Sequence, residues 1–410
     1  MPALLIALGI FFAAKFRFFY ILHPIKTFKT ILKSQKGGFK SLSLALAGTL
    51  GVGNIVGVSS AIVMGGAGSI FWMWVSALCA MSLKYAEVYL AMIYRRQNNG
   101  VFYGGAPYYI KEGLKSKIGV KCAYILSCIF AIFCTVNSLT TGNLVQINSV
   151  STLLPFSPLI FGISFTILTF VIICGGLKRI SSLTSVLIPV LSLTYVILCL
   201  TVIFSCYTKI PSVFSTIIKD AFSPKSAVGG FCGYGITSSL RYGVCRGVLS
   251  NEAGCGTSPC AHASSECESP HAQSCLGIFE VFVDTIVLCT LTAFVILMSD
   301  IKFAQSPISL VIDAFEKFLG KFGSYTVLIL CILFAFATVI CQYFYGVESI
   351  EYITKKPRAK GVFLFVFCLV LLIGAVIPMS LMWQISDFSI ATMTIINLIC
   401  LFLLRKNTTQ

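Results

Sequence analysis

Charged residues are scarce in this chain. Only 11% of its 410 residues are Asp, Glu, Lys or Arg, whereas 57% are hydrophobic. A protein of this size that faces water needs far more charge on its surface. The composition therefore excludes an ordinary water-soluble protein, and it predicts that most side chains face lipid or one another.

The sequence also lacks the motifs of common catalytic and metal sites. It contains no HExxH and no GxSxG, and we identify no histidine–carboxylate pair of the kind that a membrane-embedded enzyme would need. The cysteines are scattered through apolar stretches, where thiols behave as small hydrophobic groups. A local group of Cys255, Cys260, His262, Cys267 and His271 does not have the CxxC spacing of a zinc site. We expect no enzyme, no disulfide framework, no cofactor and no structural metal.

Long hydrophobic runs are abundant instead. A helix needs about 20 apolar residues to cross a bilayer. Eleven stretches qualify, namely 3–21, 41–64, 69–94, 121–150, 158–177, 183–206, 227–263, 275–299, 324–350, 361–378 and 380–404. They predict an all-α integral membrane protein of eleven transmembrane helices in a single domain, 1–410, because no soluble domain fits between the runs. The amphipathic segment 305–320 predicts a short helix on the outer surface.

Basic residues are distributed unevenly between the predicted loops. Of the 30 lysines and arginines, 21 fall in the segments on one side of the predicted bilayer. Because basic loops stay in the cytoplasm, the amino terminus is predicted outside and the carboxyl terminus inside. The net charge of +16 then matches anionic lipid headgroups. We find no basic and aromatic surface for nucleic acid.

Two of the eleven stretches are too rich in glycine for continuous helices. The second contains AGTLGVGNIVG at 47–57, and the seventh contains GGFCGYG at 229–235 and RYGVCRGVLSNEAGCGTSP at 241–259. Glycine destabilises a helix interior by about 1 kcal/mol, so both helices are predicted to be discontinuous. The alternative is that the glycines permit close packing of intact helices.

The positions of the two breaks suggest internal symmetry. They lie five helices apart, in helices that run in opposite directions, as an inverted 5+5 repeat would place them. The repeats would cover 41–206 and 227–404, with 1–22 as an additional first helix. At such a break, free amide groups hold a carboxylate and free carbonyl groups ligate a cation. This combination suits an amino acid transported with sodium.

The same two segments carry a resemblance to a known family. Residues 48–95 and 241–266 resemble the alanine or glycine:cation symporter family, with weaker matches at GNLVQINSV (142–150) and FAFATVICQYFYGVE (334–348). The resemblance implies the inverted-repeat fold of the leucine-transporter class. It also implies import of alanine or glycine with sodium across a cell inner membrane.

The resemblance further implies which residues form the site. The substrate-binding residues would be Thr49, Gly53, Asn54, Gln146, Leu249, Ser250, Asn251 and Gln342. The sodium ligands would be Ala47, Leu50, Phe334 and Thr338. The oligomeric state is left open.

The chain departs from the family pattern at two positions. Ala337 stands where a second hydroxyl residue is expected, and Gln342 stands where a tryptophan is usual. The first departure leaves open proton coupling. The second predicts a larger pocket, so serine or glutamine is an alternative substrate.

Charged residues inside predicted spans are costly and therefore functional candidates. The i,i+3 spacing predicts a Lys84–Glu87 ion pair. Glu252 is predicted to brace the second break through backbone donors or Arg246. Glu280 and Asp284 share a helix face, which predicts either a water-filled vestibule or a position near the interface. Glu348 is predicted to be a solvated charge, and His262 is the histidine to test as a proton carrier.

Overall fold

The computed structural model describes residues 2–32, 36–154, 157–222, 234–301, 307–377 and 379–408, and these are almost entirely helical. The helices are α1 Pro2–Lys15, α2 Phe19–Leu22, α3 Pro24–Leu32, α4 Lys36–Thr49, α5 Val56–Gly65, α6 Ser69–Ile93, α7 Ala106–Ile118, α8 Val120–Leu139, α9 Val145–Ser151, α10 Pro158–Ile173, α11 Gly176–Ser205, α12 Ile210–Phe222, α13 Tyr234–Asn251, α14 Pro259–Ala263, α15 Pro270–Val281, α16 Thr290–Met298, α17 Pro307–Ile353, α18 Pro357–Gly374 and α19 Met379–Leu403. A short antiparallel hairpin, β1 Arg96–Asn98 and β2 Val101–Tyr103, precedes α7. Wider π-helical turns join α8 to α9 at Thr140–Leu144 and α15 to α16 at Phe282–Cys289.

Helices occupy all eleven predicted stretches wherever these are described. Among the described residues, seven helices are long and apolar enough to cross a membrane, or eight when the bent pair α4 and α5 counts as one span. This confirms an all-α membrane protein with several spans. The total of eleven spans and the inverted repeat stay predictions. Residues 223–233, which include most of the GGFCGYG motif, lie outside the described residues.

The helices differ in how deeply they are buried. The most apolar part of α6 is 83% buried, whereas that of α18 is only 22% buried. Large apolar side chains on the outer helices are exposed, among them Ile160, Val186 and Phe365. In a membrane protein such side chains face lipid. The structure therefore has a central helix, α6, which packs against α1, α13 and α15.

The first predicted break is present between α4 and α5. The two helices are bent by 61° relative to each other, and a 3₁₀ turn at Val52–Asn54 joins them. Gly51 lies close to two side chains from distant parts of the sequence. A Cβ atom there would lie 2.6 Å from Thr338 Oγ1 and 2.7 Å from Gln146 Oε1.

The second predicted break is present between α13 and α14. Glu252, Gly254 and Gly256 all have positive φ angles, of 48°, 85° and 79°. This left-handed backbone favours glycine and cannot continue a helix. The chain becomes helical again at Pro259, whose fixed φ suits the first turn.

The predicted surface helix is the first part of α17. A break at Gly320, with φ of 62°, separates it from the long helix that follows. Leu310, Val311 and Phe315 are fully buried. Its apolar face therefore packs on the rest of the protein.

Candidate functional site

A small cavity lies where the two breaks meet. Its lining comes from both breaks, from the π-helical turn Thr140–Leu144 and from α9, namely Gly48, Thr49, Val52, Gly53, Thr141, Val145, Gln146, Leu249 and Glu252. Four of the predicted substrate residues, Thr49, Gly53, Gln146 and Leu249, are in this lining. The volume of about 10 Å³ accepts about one water molecule. An amino acid therefore enters only if the lining residues move apart.

Neutral side chains hold the freed backbone groups of the first break. Gln146 Oε1 accepts a hydrogen bond of 3.1 Å from Val52 N, and Gln146 Nε2 donates to Thr141 O at 3.2 Å. The Thr49 hydroxyl points back along α4, to Ala45 O and Leu46 O at 3.4 Å. The partner of the Val52 amide group is therefore a neutral oxygen, Gln146 Oε1, which another hydrogen-bond acceptor can replace.

The predicted sodium ligands lie on two facing segments. Thr338 Oγ1 on α17 donates to Leu50 O at 3.3 Å. Ala47 and Phe334 are buried about one helical turn away, on α4 and α17 respectively. The structure therefore brings Leu50 and Thr338 into contact and places the other two residues nearby on the same helices.

Asn54 and Ser250 both contact the carboxylate of Asp284, which the sequence did not connect with them. Asn54 Nδ2 donates to Asp284 Oδ1 at 2.7 Å and to Ser250 Oγ at 3.0 Å, and Ser250 Oγ donates to Asp284 Oδ2 at 2.8 Å. Asn251 Nδ2 donates to Thr285 Oγ1 at 3.0 Å. Asp284 is fully buried. Its predicted position in a vestibule or near the interface is wrong, because α15 and the π-helical turn carry it against the first break.

Gln342 contacts Glu252 instead of lining the cavity. Its Nε2 donates to Glu252 Oε1 at 2.8 Å and to Gly48 O at 3.4 Å. A Cβ atom at Gly142 would lie only 2.4 Å from Gln342 Cβ, so the space around the amide is filled. The predicted enlargement of the pocket at Gln342 is therefore wrong.

Glu252 braces the second break through side chains. Besides Gln342, its carboxylate accepts a hydrogen bond of 2.5 Å from Thr257 Oγ1. Arg246, a predicted partner, pairs with Asp387 at 3.6 Å. The bracing role is confirmed, but the predicted partners are wrong because the left-handed turn at Glu252 directs its side chain toward α17.

The ion pairs inside the helix bundle also differ from the prediction. Lys84 pairs with Glu280 at 3.3 Å. Glu87 instead accepts hydrogen bonds from Gly256 N at 2.9 Å and Asn397 Nδ2 at 2.5 Å. The i,i+3 spacing is overridden because the second break presents an amide group to Glu87.

A histidine and a carboxylate that are distant in sequence are paired. His262 Nε2 lies 2.9 Å from Glu280 Oε2, and both residues are fully buried. No local motif predicts this pair, since the turn between α14 and α15 brings the two residues together. Glu348, predicted to be solvated, is half-buried in a narrow cavity beside Tyr108.

Buried acids outnumber buried bases around the second break. Glu87, Glu252, Glu280 and Asp284 are at most 3% exposed. Among the described lysines and arginines, Lys84 is the fully buried one. An uncompensated charge in a low-dielectric interior is costly. Each of these acids accordingly has hydrogen-bond donors beside it.

Larger cavities lie on either side of the breaks. One of them, here called the lysine vestibule, has a volume of about 580 Å³, and its lining includes Lys40, Ser41, Lys178, Ser264 and Glu266. The last two of these residues follow the second break in the sequence. The other, here called the arginine vestibule, has a volume of about 350 Å³, and its lining includes Arg241, Arg246, Leu249 and Asp387. The first three of these residues precede the second break in the sequence. Leu249 lines both the arginine vestibule and the central cavity. Leu249 is therefore part of the wall of both spaces.

Comparison with known proteins identifies relatives along the whole chain. The model of the sodium:alanine symporter family matches residues 1–410. The sodium/alanine symporter AgcS of Methanococcus maripaludis is 36% identical over 89% of this chain and 81% of its own length. The uncharacterized transporter YflA of Bacillus subtilis is 34% identical over 99% and 88%, respectively. A Bacillus subtilis protein named probable sodium/glutamine symporter GlnT is 33% identical over 98% and 85%.

Proposed function

The chain belongs to the sodium:alanine symporter family, and from this premise we propose that it imports alanine, glycine or a similar small neutral amino acid together with sodium. The proposed location is a cell inner membrane, with the amino terminus outside and the carboxyl terminus in the cytoplasm. The proposed architecture is eleven spans with an inverted 5+5 repeat, which comprises 41–206 and 227–404 after an additional helix at 1–22.

The observation that carries this proposal is the closed cavity between two broken helices, with one vestibule before and one after the second break. A transporter that works by alternating access needs a central site that opens to each side in turn. Leu249 suits a gate on the arginine side, because it lines both adjoining spaces.

The substrate carboxylate is proposed to bind the amide groups around Thr49 and Gly53. Val52 N, which now donates to Gln146 Oε1, is available to it if Gln146 turns away. Asn54, Ser250 and Asn251 complete the polar side of the site, and Leu249 covers it. Gln342 acts on the site through Glu252.

Sodium is proposed to bind carbonyl oxygens of Ala47, Leu50 and Phe334 and the hydroxyl of Thr338. Oxygen ligands suit a hard cation. The contact of Thr338 with Leu50 O and the surplus of buried carboxylates support a cation at this depth.

A second candidate is proton-coupled uptake of serine or glutamine. The relative named a sodium/glutamine symporter favours glutamine as a substrate, and the missing hydroxyl at Ala337 favours considering coupling to protons. It shares the same cavity, so a flux experiment distinguishes the two.

The test is uptake of labelled alanine into proteoliposomes under an inward sodium gradient, compared with an inward proton gradient. We expect accumulation with sodium and at least about a tenfold loss in Asn54→Ala, equivalent to about 1.4 kcal/mol. Asn98→Ala, at an exposed position of β1, is the matched control and should transport normally. Accumulation of glutamine or serine driven by protons alone would support the second candidate. Absence of flux for all substrates would overturn both.

A further inference from the structure

Two lysines from distant parts of the chain contact the carboxyl-terminal end of α19. Lys15, in the last turn of α1, donates a hydrogen bond of 2.9 Å to Thr408 Oγ1. Lys117, in the last turn of α7, donates to Leu403 O. Arg405 follows α19 closely in the sequence, and its carbonyl oxygen accepts a hydrogen bond of 2.9 Å from Thr408 Oγ1. The ends of three helices therefore bring basic side chains together.

Positive charge accumulates at this place. Lys15, Lys117, Arg405 and Lys406 are here called the basic site. Arg405 and Lys406 are the charged neighbours of Lys117, and both are positive. Burial, and then these two positive charges, lower the pKa of Lys117. Because like charges repel one another, a bound anion would stabilise the basic site.

The basic site has more hydrogen-bond donors than its internal contacts use. An ammonium group has three N–H donors and a guanidinium group has five. One donor of Lys117 and one of Arg405 cap the last carbonyl groups of α19, Leu403 O and Phe402 O. Lys117 is exposed and Arg405 is half-buried, so their other donors can reach a ligand outside the protein.

An apolar stripe on α19 leads to the basic site. Ile395, Ile399 and Phe402 are exposed and lie on one face of the helix, because they are four and three positions apart. The Arg405 guanidinium lies over the Phe402 ring, 4.3 Å from its centre. Phe11 on α1 is also exposed, and its ring centre lies 5.5 Å from that of Phe402. Lipid-facing apolar surface is therefore continuous with the positive charge.

This combination fits a charged lipid better than a simple ion. A free phosphate ion would contact the charged groups alone, whereas a phospholipid also places its acyl chains on the apolar stripe. Basic residues at a membrane surface attract anionic headgroups. A zwitterionic headgroup carries its own ammonium group, which the four basic side chains would repel.

We propose that the basic site binds the headgroup of an anionic phospholipid from the leaflet at the carboxyl terminus, with the acyl chains along Ile395, Ile399 and Phe402. The bound lipid links the ends of α1, α7 and α19. The proposal is independent of the substrate and of sodium, because other residues line the central cavity.

The first experiment measures thermal unfolding of the purified protein in detergent with three additives. Phosphatidylglycerol should raise the unfolding temperature by at least about 2 °C. Phosphatidylcholine with the same acyl chains and inorganic phosphate should each give less than half of this rise. An equal rise with phosphatidylcholine would show that headgroup charge is irrelevant, and an equal rise with phosphate would show that a free anion is the ligand. Either result would overturn the proposal.

Paired variants test the location of the site. Lys117→Gln with Arg405→Gln removes two charges and keeps donors for the carbonyl groups of α19. Half-maximal stabilisation should then need at least about tenfold more phosphatidylglycerol. Lys178→Gln with Arg179→Gln, at exposed positions of α11, is the matched control and should stay within about twofold of the wild type. Equal effects of the two pairs would show a diffuse attraction without a site and would overturn the proposal.

The second experiment uses the wild type, so that it gives a result even if a variant fails to fold. Phosphatidylglycerol with a photoreactive group on an acyl chain is cross-linked to the protein, and the modified peptides are identified by mass spectrometry. We expect cross-links near the carboxyl-terminal ends of α1 and α19, which unlabelled phosphatidylglycerol suppresses and phosphatidylcholine does not. Cross-links spread evenly over the outer helices, or suppressed equally by both lipids, would overturn the proposal.

Discussion

Both helix breaks leave backbone groups without helical hydrogen bonds, but the side chains around the two breaks differ in charge. At the first break, neutral side chains contact the freed backbone groups, with Gln146 on Val52 N and Thr338 on Leu50 O. At the second break, the carboxylate of Glu87 accepts a hydrogen bond from Gly256 N, and the carboxylate of Glu252 accepts one from the Thr257 hydroxyl. Charge-assisted hydrogen bonds are roughly twice as strong as neutral ones.

This difference indicates which break exchanges partners during transport. Breaking the hydrogen bond between a neutral glutamine or threonine and a backbone group costs about 1 kcal/mol. A new contact between that backbone group and the substrate or sodium offsets this cost. A buried carboxylate gives up its donor only at a much higher cost. We infer that the first break is the exchanging side of the site and that the second break is its fixed wall.

The strongest test of the fixed wall is Glu87→Ala. It leaves Gly256 N and Asn397 Nδ2 buried without their acceptor, so we expect a loss of about 3 kcal/mol in the free energy of unfolding. Thermal unfolding in detergent measures it. Glu87→Gln is the matched control, because its amide oxygen still accepts a hydrogen bond, and it should lose less than half as much. Equal losses in the two variants would show that the negative charge matters more than the volume of the side chain or its capacity to accept a hydrogen bond.

The exchanging side is tested at Thr338. Thr338→Val removes the hydroxyl that contacts Leu50 O while it keeps the shape of the side chain. We expect about 1 kcal/mol of lost stability and at least about a tenfold rise in the sodium concentration for half-maximal uptake, equivalent to about 1.4 kcal/mol. Thr338→Ser retains the hydroxyl and should stay within about twofold of the wild type. Unchanged sodium dependence in the valine variant would remove Thr338 from the proposed sodium site.

Sequence alone predicted the helices and the breaks, because both depend on local composition. Runs of about 20 apolar residues predict spans, and clusters of glycine such as those around Gly51 and Gly254 weaken a helix where they occur. The family resemblance also named Thr49, Gly53 and Gln146, which lie in the lining of the central cavity; their roles stay predictions.

The side-chain partners could not be predicted in the same way. Asn54 contacts Asp284 across 230 positions, and Lys84 contacts Glu280 across 196. Such contacts depend on the rotation of each helix about its axis and on which helices are neighbours, and one sequence does not specify either. The local i,i+3 rule gave Glu87 as the partner of Lys84. It failed because a distant amide group competes for the same carboxylate.

A partly exposed carboxylate outside the spans, Glu112, gives a reference for the energetic contribution of the buried carboxylates. Glu112 on α7 accepts hydrogen bonds from Lys115 at 3.1 Å and Arg96 at 2.7 Å. The Lys115 hydrogen bond, with the neighbouring positive charges, lowers the pKa of Glu112. Water screens both pairs, so Glu112→Gln should cost less than about 1 kcal/mol at pH 7.

The pH dependence of this small effect has a definite sign. Because the pKa of Glu112 is lower in the folded protein, its contribution is complete above the unfolded pKa of about 4.3 and disappears as the pH falls through the folded value. The unfolding temperatures of wild type and Glu112→Gln should therefore converge in acid, and Lys115→Gln should behave like Glu112→Gln. If Glu112→Gln lowered the free energy of unfolding as much as Glu87→Ala, negative charge alone would account for the contribution of both carboxylates to stability. The distinction between a fixed and an exchanging break would then lose its physical basis.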